Sequence, residues 1–418
     1  MESFFYEHRF LNHITLVGFG LLASSVAAAI KQSKPFITVR AVSSPATLDR
    51  VRELRLADEF FRYDEVEDWS KDTELILLCG PILHILKMID KLKKVSWPKS
   101  KNRFSSFSIN ACSLMNGENR EILVSDIGST KVEICKAGAC LPAPFRFVGS
   151  HPMAGSEKRS CENYDPAIFE NAYWFVCPSQ GSSEIDYKIL WNLIRFLGAK
   201  PEKIDPQDHD RTMAWVSHMP QMLSSTLAGK IPVKLRRHSY QIFAGRAYRD
   251  MTRIAASGWN MWHDIAVTNR DETTFALESL RSGIDKTIKA MKNLNVVDVN
   301  KSCEIYFPDI EEKENFDNSE RLKRIFLAGN VGRKSIFEQS QNKSSFYEIT
   351  IQLKDEPGAL LSVIQPLAEE GINIRDIELM KVRENVEGTL LLAFKTEDEA
   401  ARAVKILQYL EYEVKERC

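Results

Sequence analysis

A short apolar run, Ile14 to Val17, ends in Gly18-Phe19-Gly20 and passes directly into an alanine-rich stretch, Leu21 to Ile30. No other feature narrows the fold as much. A glycine pair between a β-branched run and a helix, closed by the small residue Ala23, opens a dinucleotide-binding βαβ unit. Gly18 allows the tight turn, Gly20 lets backbone approach a pyrophosphate, and Ala23 lets the helix pack closely on the sheet. The turn Gly18, Phe19, Gly20 and Ala23 is therefore the expected coenzyme-binding segment, with the helix amides facing the phosphates.

Further strand signals follow. Phe36 to Val42 reads as the second strand, Leu75 to Cys79 as a buried strand ending at Gly80-Pro81, and Ile122 to Ser125 as another ending at Asp126. Strands alternating with helical stretches predict an α/β, doubly wound parallel sheet, which binds ligands at the carboxyl ends of its strands. Gly80, Pro81 and Asp126 therefore join the coenzyme site. From about Asp208 to Asn295 the pattern turns helical. Glu311 to Ser344 is strongly charged and reads as a helix end followed by a linker. Past Phe346, strand, helix, two strands, helix and strand succeed one another, the βαββαβ order of a ferredoxin-like sandwich. The expected domains are residues 9–206 (dinucleotide-binding), 207–335 (helical, with a linker) and 345–418 (the small sandwich).

At 418 residues, a division into two or three domains is expected on length alone. The formal net charge of -1 gives no electrostatic reason to expect nucleic acid, and no basic run with interleaved aromatics occurs. No stretch reaches the length and apolarity of a membrane span. Glu2, Glu7 and Arg9 are foreign to a secretory signal, so a cytoplasmic protein is expected. The eight cysteines form no CxxC pair, so reduced thiols are expected and no metal site.

The end of the second strand bears on the coenzyme. A carboxylate there would bond the ribose 2′-hydroxyl of NAD and repel the 2′-phosphate of NADP. Here Val42 is followed by Ser43 and Ser44 with no acid, and Arg40 and Arg50 lie nearby. The coenzyme is NADP or NAD, with NADP favoured.

His151 stands in Gly149-Ser150-His151-Pro152-Met153-Ala154-Gly155, where small residues let backbone and ligand approach. An imidazole near its ordinary pKa accepts a proton at neutral pH. Ser129, at the end of the preceding strand, is placed to orient that imidazole or bond a substrate hydroxyl. Farther on, His218 and Gln221 share a helix face, and Arg246, Arg249 and Arg253 share another. An arginine partly buried among Ala244, Ala247, Met251 and Ile254 would suit a carboxylate bidentately. These residues call for an anionic substrate between the two domains.

The chain resembles the prephenate/arogenate dehydrogenase family of tyrosine biosynthesis. The resemblance runs through Gly18-Phe19-Gly20, Asp126-Ile127-Gly128-Ser129-Thr130-Lys131, His151-Pro152-Met153-Ala154-Gly155-Ser156-Glu157, Ser217-His218-Met219-Pro220 and Asp250-Met251-Thr252-Arg253-Ile254-Ala255. The C-terminal unit resembles an ACT domain through Asp355-Glu356-Pro357-Gly358-Ala359-Leu360 and Gly371-Ile372-Asn373-Ile374.

The family resemblance implies oxidative decarboxylation of a cyclohexadienol. Hydride leaves C4 for a nicotinamide, His151 takes the proton of the C4 hydroxyl, the ring carboxylate departs as CO2, and the ring becomes aromatic. It also implies that Ser129 bonds the hydroxyl, Arg253 holds a carboxylate, Ser156 and Glu157 line the pocket, and His218 shapes it. The helical domain would build a homodimer. The ACT unit would bind tyrosine as a feedback effector through Gly358, Asn373 and Asp376, the alternative being a dimerisation module without a ligand. Gln221 stands where some members have a second histidine, which leaves prephenate and arogenate both open. A 3-hydroxy-acid dehydrogenase is disfavoured because no lysine stands out between His209 and Gly229. A nucleotide-dependent regulator would have no need of both His151 and Arg253.

Overall fold

The computed structural model describes residues 11–96, 121–155, 160–179, 181–230, 243–292, 294, 318–341, 347–353, 356–380 and 388–417. The chain divides into two compact units, Met1–Ser282 and Gly283–Cys418.

The first unit opens with β1 (His13–Val17), α1 (Leu21–Ser33), β2 (Thr38–Ser43), α2 (Pro45–Glu53), β3 (Glu59–Arg62), α3 (Val66–Ser70), β4 (Leu75–Leu78) and α4 (Ile82–Leu92). Then come β5 (Ile122–Asp126), α5 (Val132–Gly138), β6 (Phe145–Pro152), β7 (Tyr173–Pro178), α6 (Glu184–Phe196) and β8 (Lys200–Lys203). The sheet runs in the order β3-β2-β1-β4-β5-β6-β7-β8. Leu75, Ile76 and Leu77 are fully buried, as expected of a central parallel strand covered by helices on both faces. One core packs Ile14, Leu16, Ala27, Leu190 and Trp174 together. A second packs Val17, Leu78, Ile85, Ile134 and Phe147.

The expected parallel sheet runs from β3 to β6, and beyond it β7 runs antiparallel to β6 while β8 runs parallel to β7. Neither strand is read from the sequence above. β8 is Lys200-Pro201-Glu202-Lys203, an edge strand without an apolar pattern, and proline is tolerated at such an edge.

The unit continues with α7 (Pro206–Met213), a π turn over Ala214–His218 and α8 (Met219–Gly229). Pro220 lacks the amide that would bond the carbonyl of Val216, which is why the ladder loosens there. Next are α9 (Arg246–Thr252), a 3-10 turn at Arg253–Ala256, α10 (Trp259–Thr268) and α11 (Arg270–Lys292), whose residues from Gly283 on fall in the second unit.

The second unit contains α12 (Asn318–Gln341), then β9 (Tyr347–Leu353), α13 (Ala359–Glu369), β10 (Ile374–Met380), β11 (Gly388–Phe394), α14 (Glu397–Tyr409) and β12 (Val414–Arg417). The strands form an antiparallel sheet in the order β10-β11-β9-β12. Ile349, Ile351, Leu367, Leu392 and Leu407 fill the core beneath the two helices. Helix α12 corrects the expected linker. High charge hides a helix here, but no proline interrupts the segment, and Glu320 and Arg324 pair one turn apart at 3.7 Å.

Candidate active site

Because β1, β4, β5 and β6 are mutually parallel, their carboxyl ends share one edge of the sheet. Gly18, Gly80, Ser129 and His151 all lie along it. Gly18 has φ +96°, and a Cβ there would lie 3.0 Å from the Gly80 amide nitrogen. Only glycine meets both demands at once. Gly20 is the N-cap of α1 and supplies no side chain over the helix end. Ala23 is buried against the sheet. The turn is therefore a bare backbone cradle open to a phosphate. Phe19 differs from expectation, since its ring is in the core at 4% exposure and only its backbone is available to a ligand.

Asp126 also has another task. It is fully buried. One carboxylate oxygen accepts from the Ser150 amide at 3.0 Å. The other accepts from the Gly128 amide at 2.7 Å and from Lys131 Nζ. Lys131, likewise fully buried, also donates to the Ser150 carbonyl at 2.7 Å. This buried ion pair ties the β5 loop to β6 and removes Asp126 from the coenzyme.

The charges near β2 are committed as well. Arg40 is 9% exposed. Its Nε donates to Glu59 at 2.6 Å, and its Nη1 bonds the Lys71 carbonyl. Arg50 pairs with Glu53 and Glu162 at 3.2 and 3.3 Å. Arg40 is therefore not free for a 2′-phosphate, while Arg50, its side chain 58% exposed, is held only in surface ion pairs. Ser43 is buried 3.4 Å from the Tyr63 hydroxyl, and the Ser44 hydroxyl bonds Thr47 at 2.9 Å. The cation beside this strand end is the exposed Arg62, register partner of Ser43 on β3.

His151 is the last residue but one of β6. Its Nδ1 lies 2.9 Å from His209 Nε2, and His209 Nδ1 lies 2.8 Å from Asp210 Oδ1. The Asp210 carboxylate also accepts from the Lys131 and Val132 amides at 2.7 and 2.9 Å, at the start of α5. His209 and Asp210 are 0% and 1% exposed. The imidazole is thus oriented by His209, a residue the sequence reading passed over, rather than by Ser129. Ser129 is half-buried beside the loop, and its hydroxyl makes no hydrogen bond among the described residues. An adjacent His-Asp pair on the helix following the sheet was the available signal.

His218 ends the π turn, 1% exposed. The Asn269 amide group lies 3.0 Å from His218 Nδ1 and 2.7 Å from the Asp210 carbonyl. An NH2 group donates to both, so His218 carries its own proton on Nε2. Burial pushes His218 down to about 4. His209 is also lowered by burial, and His151 lies well below its ordinary 6.5 through burial and the neighbouring His209, Lys131 and His218.

His209 and His218, both buried, and the half-buried His151 predict a pH dependence of stability. Each folded-state pKa is depressed, so the stability is fully present above about 6.5 and is lost as pH falls toward 4. For His218 alone the span corresponds to about 3 kcal/mol. Thermal melts across this range should fall steeply, and a flat profile would contradict the buried neutral assignment.

Gln221 is 4% exposed. Its Nε2 donates to the Ile254 carbonyl at 2.9 Å and to Ser225 Oγ at 3.2 Å, while Ser257 donates to Oε1 at 3.4 Å. It braces the turn carrying Arg253. That arginine is exposed in the single chain, as are Arg246 and Arg249, rather than partly buried as expected. The interleaving small residues leave the short helix α9 without a buried face. Ser156 and Glu157 lie outside the described residues. In the second unit Gly358 has φ +91° and caps α13. Asn373 and Asp376 are exposed, and Asp376 accepts from the Ile377 amide at 2.8 Å.

Three family models match the chain in succession. They are the prephenate dehydrogenase nucleotide-binding domain over residues 113–203, the prephenate dehydrogenase dimerization domain over 205–301, and the ACT domain over 347–411. The chain belongs to the prephenate dehydrogenase family and carries a C-terminal ACT domain. A prephenate dehydrogenase of Bacillus subtilis is 27% identical over 403 residues, covering 94% of this chain and 95% of its own. One from Lactococcus lactis is 26% identical, with 95% and 98% covered. The fold also matches the A. aeolicus prephenate dehydrogenase solved with hydroxyphenyl propionate and NAD+. That match has TM-score 0.55 and 22% identity, over 68% of this chain and 92% of the other. No helix among the described residues is long and apolar enough to cross a membrane.

Proposed function

We propose that this chain catalyses the oxidative decarboxylation of prephenate to 4-hydroxyphenylpyruvate, in tyrosine biosynthesis, with hydride passing to a nicotinamide coenzyme. The observation that carries this reading is His151 at the carboxyl end of β6, with Nδ1 occupied by His209. That leaves Nε2 to accept a proton. Full-length relatives named prephenate dehydrogenase support the same reaction.

The coenzyme fits the backbone cradle of Gly18, Gly20 and the α1 N-terminus, where a side chain at Gly18 would strike Gly80. It supplies the acceptor for the hydride. The chain's own residues do the rest. His151 removes the hydroxyl proton, which makes the carbon a better hydride donor. Ser129, half-buried at the same sheet edge and without a hydrogen bond to its hydroxyl among the described residues, bonds that hydroxyl. Neutral His218 donates from Nε2. Arg253, with Ser156 and Glu157, completes the anionic-substrate pocket, and the helical domain pairs two copies. In the ACT domain, the left-handed Gly358 loop with Asn373 and Asp376 binds tyrosine, which then inhibits. Such a coupling is reciprocal, so substrate or coenzyme weakens tyrosine binding.

The four combinations of prephenate or arogenate with NAD or NADP, each with and without tyrosine, test this reading. Prephenate is expected to be the better substrate. Arogenate turnover alone would move the assignment to arogenate dehydrogenase, the second reading left open by Gln221. No turnover at all would leave a nucleotide-dependent regulator.

The coenzyme prediction is sharper. With no acid after β2, NADP is accepted and favoured, and Arg62 beside Ser43 supplies the cation. Arg62→Ala should raise the KM for NADP about tenfold, the size of one charge-assisted hydrogen bond, and leave the KM for NAD unchanged. Equal effects on both coenzymes would remove Arg62 from this role.

A further inference from the structure

The polar series behind His151 has a direction. An ionised Asp210 can only accept, and its oxygens are already held by two helix amides. His209 must therefore carry its proton on Nδ1, toward Asp210, and present a bare Nε2. That lone pair, 2.9 Å from His151 Nδ1, is satisfied only when His151 also carries its proton on Nδ1. We propose that His209 and Asp210 are positioning residues that lock His151 into the tautomer whose Nε2 accepts the substrate's hydroxyl proton. The inference rests on His151 being the base.

The step balances simply. The substrate O–H bond breaks and an N–H bond forms at His151 Nε2. The electron pair left on oxygen becomes the C–O π bond as the C4–H bond breaks and its electron pair leaves with the hydrogen as hydride, for which the nicotinamide coenzyme would be the acceptor. His151 then carries two protons, and its Nδ1–H bond to neutral His209 is backed by the Asp210 carboxylate. Other groups facing this imidazole are Lys131 from the β5 loop and His218 from the π turn, with Asp126 behind Lys131. The ring of Phe175 from β7 stands edge-on to His209 at 5.5 Å, so no charged side chain enters from that strand.

Glutamine can reproduce the acceptor at the Nε2 position, and leucine cannot. His209→Gln should keep kcat within about tenfold of the parent, whereas His209→Leu should lose about 10²–10⁴-fold in kcat with little change in either KM. Asp210→Asn, which lets the tautomers reverse, should fall in the same range, as for a triad histidine that loses its aspartate. The acid limb of the pH profile should move in His209→Leu, a change that a merely structural residue would not cause. Nitrogen NMR of histidine-labelled parent protein should find His151 protonated on Nδ1, whether or not any variant folds. Protonation on Nε2, or a folded His209→Leu with parental kcat and pH profile, overturns the proposal. A dead His151→Asn beside a fully active His209→Leu sinks only the positioning role. An active His151→Asn sinks the base itself.

Discussion

Replacing His151 by asparagine is expected to lower turnover by about 10²–10⁴-fold, the usual contribution of a positioned general base. Coenzyme binding should survive. The cradle at Gly18 and Gly20 belongs to β1 and α1, and nothing in it depends on an imidazole at the end of β6. Titration of coenzyme fluorescence should therefore give parental affinity in a protein that no longer turns over. The parent's own pH profile carries the companion result. His151 is held well below 6.5 by burial and by His209, Lys131 and His218. The neutral, competent form then persists through neutrality, and activity falls only on the acid side below that value. Turnover that survived His151→Asn would make another group the base.

Lys131→Met should be the most destabilising single change in the nucleotide-binding region. It removes one partner of a pair in which both side chains are 0% exposed. The Asp126 carboxylate is then left uncompensated, which costs about 3–5 kcal/mol. Adding Asp126→Asn should recover part of the loss, because an amide needs no counter-ion, although its single oxygen can accept from only one of the Ser150 and Gly128 amides. Denaturant unfolding of parent, single and double variants measures this directly. If the single variant cost no more than a surface lysine, the pair would not be what anchors the β5 loop to β6.

Much of this was legible in the chain, for identifiable reasons. The Gly18 turn is legible because one residue must combine a positive φ with backbone contact, and only glycine does so. The C-terminal sandwich is legible because its strands alternate and its turns carry Pro357-Gly358 and Gly371. What escaped did so where a residue's role depends on partners distant in sequence. Arg40 reads as a free cation until β3 brings Glu59 beside it. Asp126 reads as a ligand at a strand end until β6 brings the Ser150 amide onto it, 24 positions away. His209 and Asp210 fall 58 and 79 positions from the groups they bond, His151 and Lys131. No local spacing joins them. Strand β8 and helix α12 were hidden differently, the first by a polar edge and the second by charge that resembles a linker.

Whether the chain carries out the oxidative decarboxylation is decided by incubating the purified protein with prephenate and either nicotinamide coenzyme, and measuring reduced coenzyme and released CO2 together. Both should appear in equal amounts, with 4-hydroxyphenylpyruvate as the organic product. Folded protein that binds coenzyme yet produces neither would contradict it.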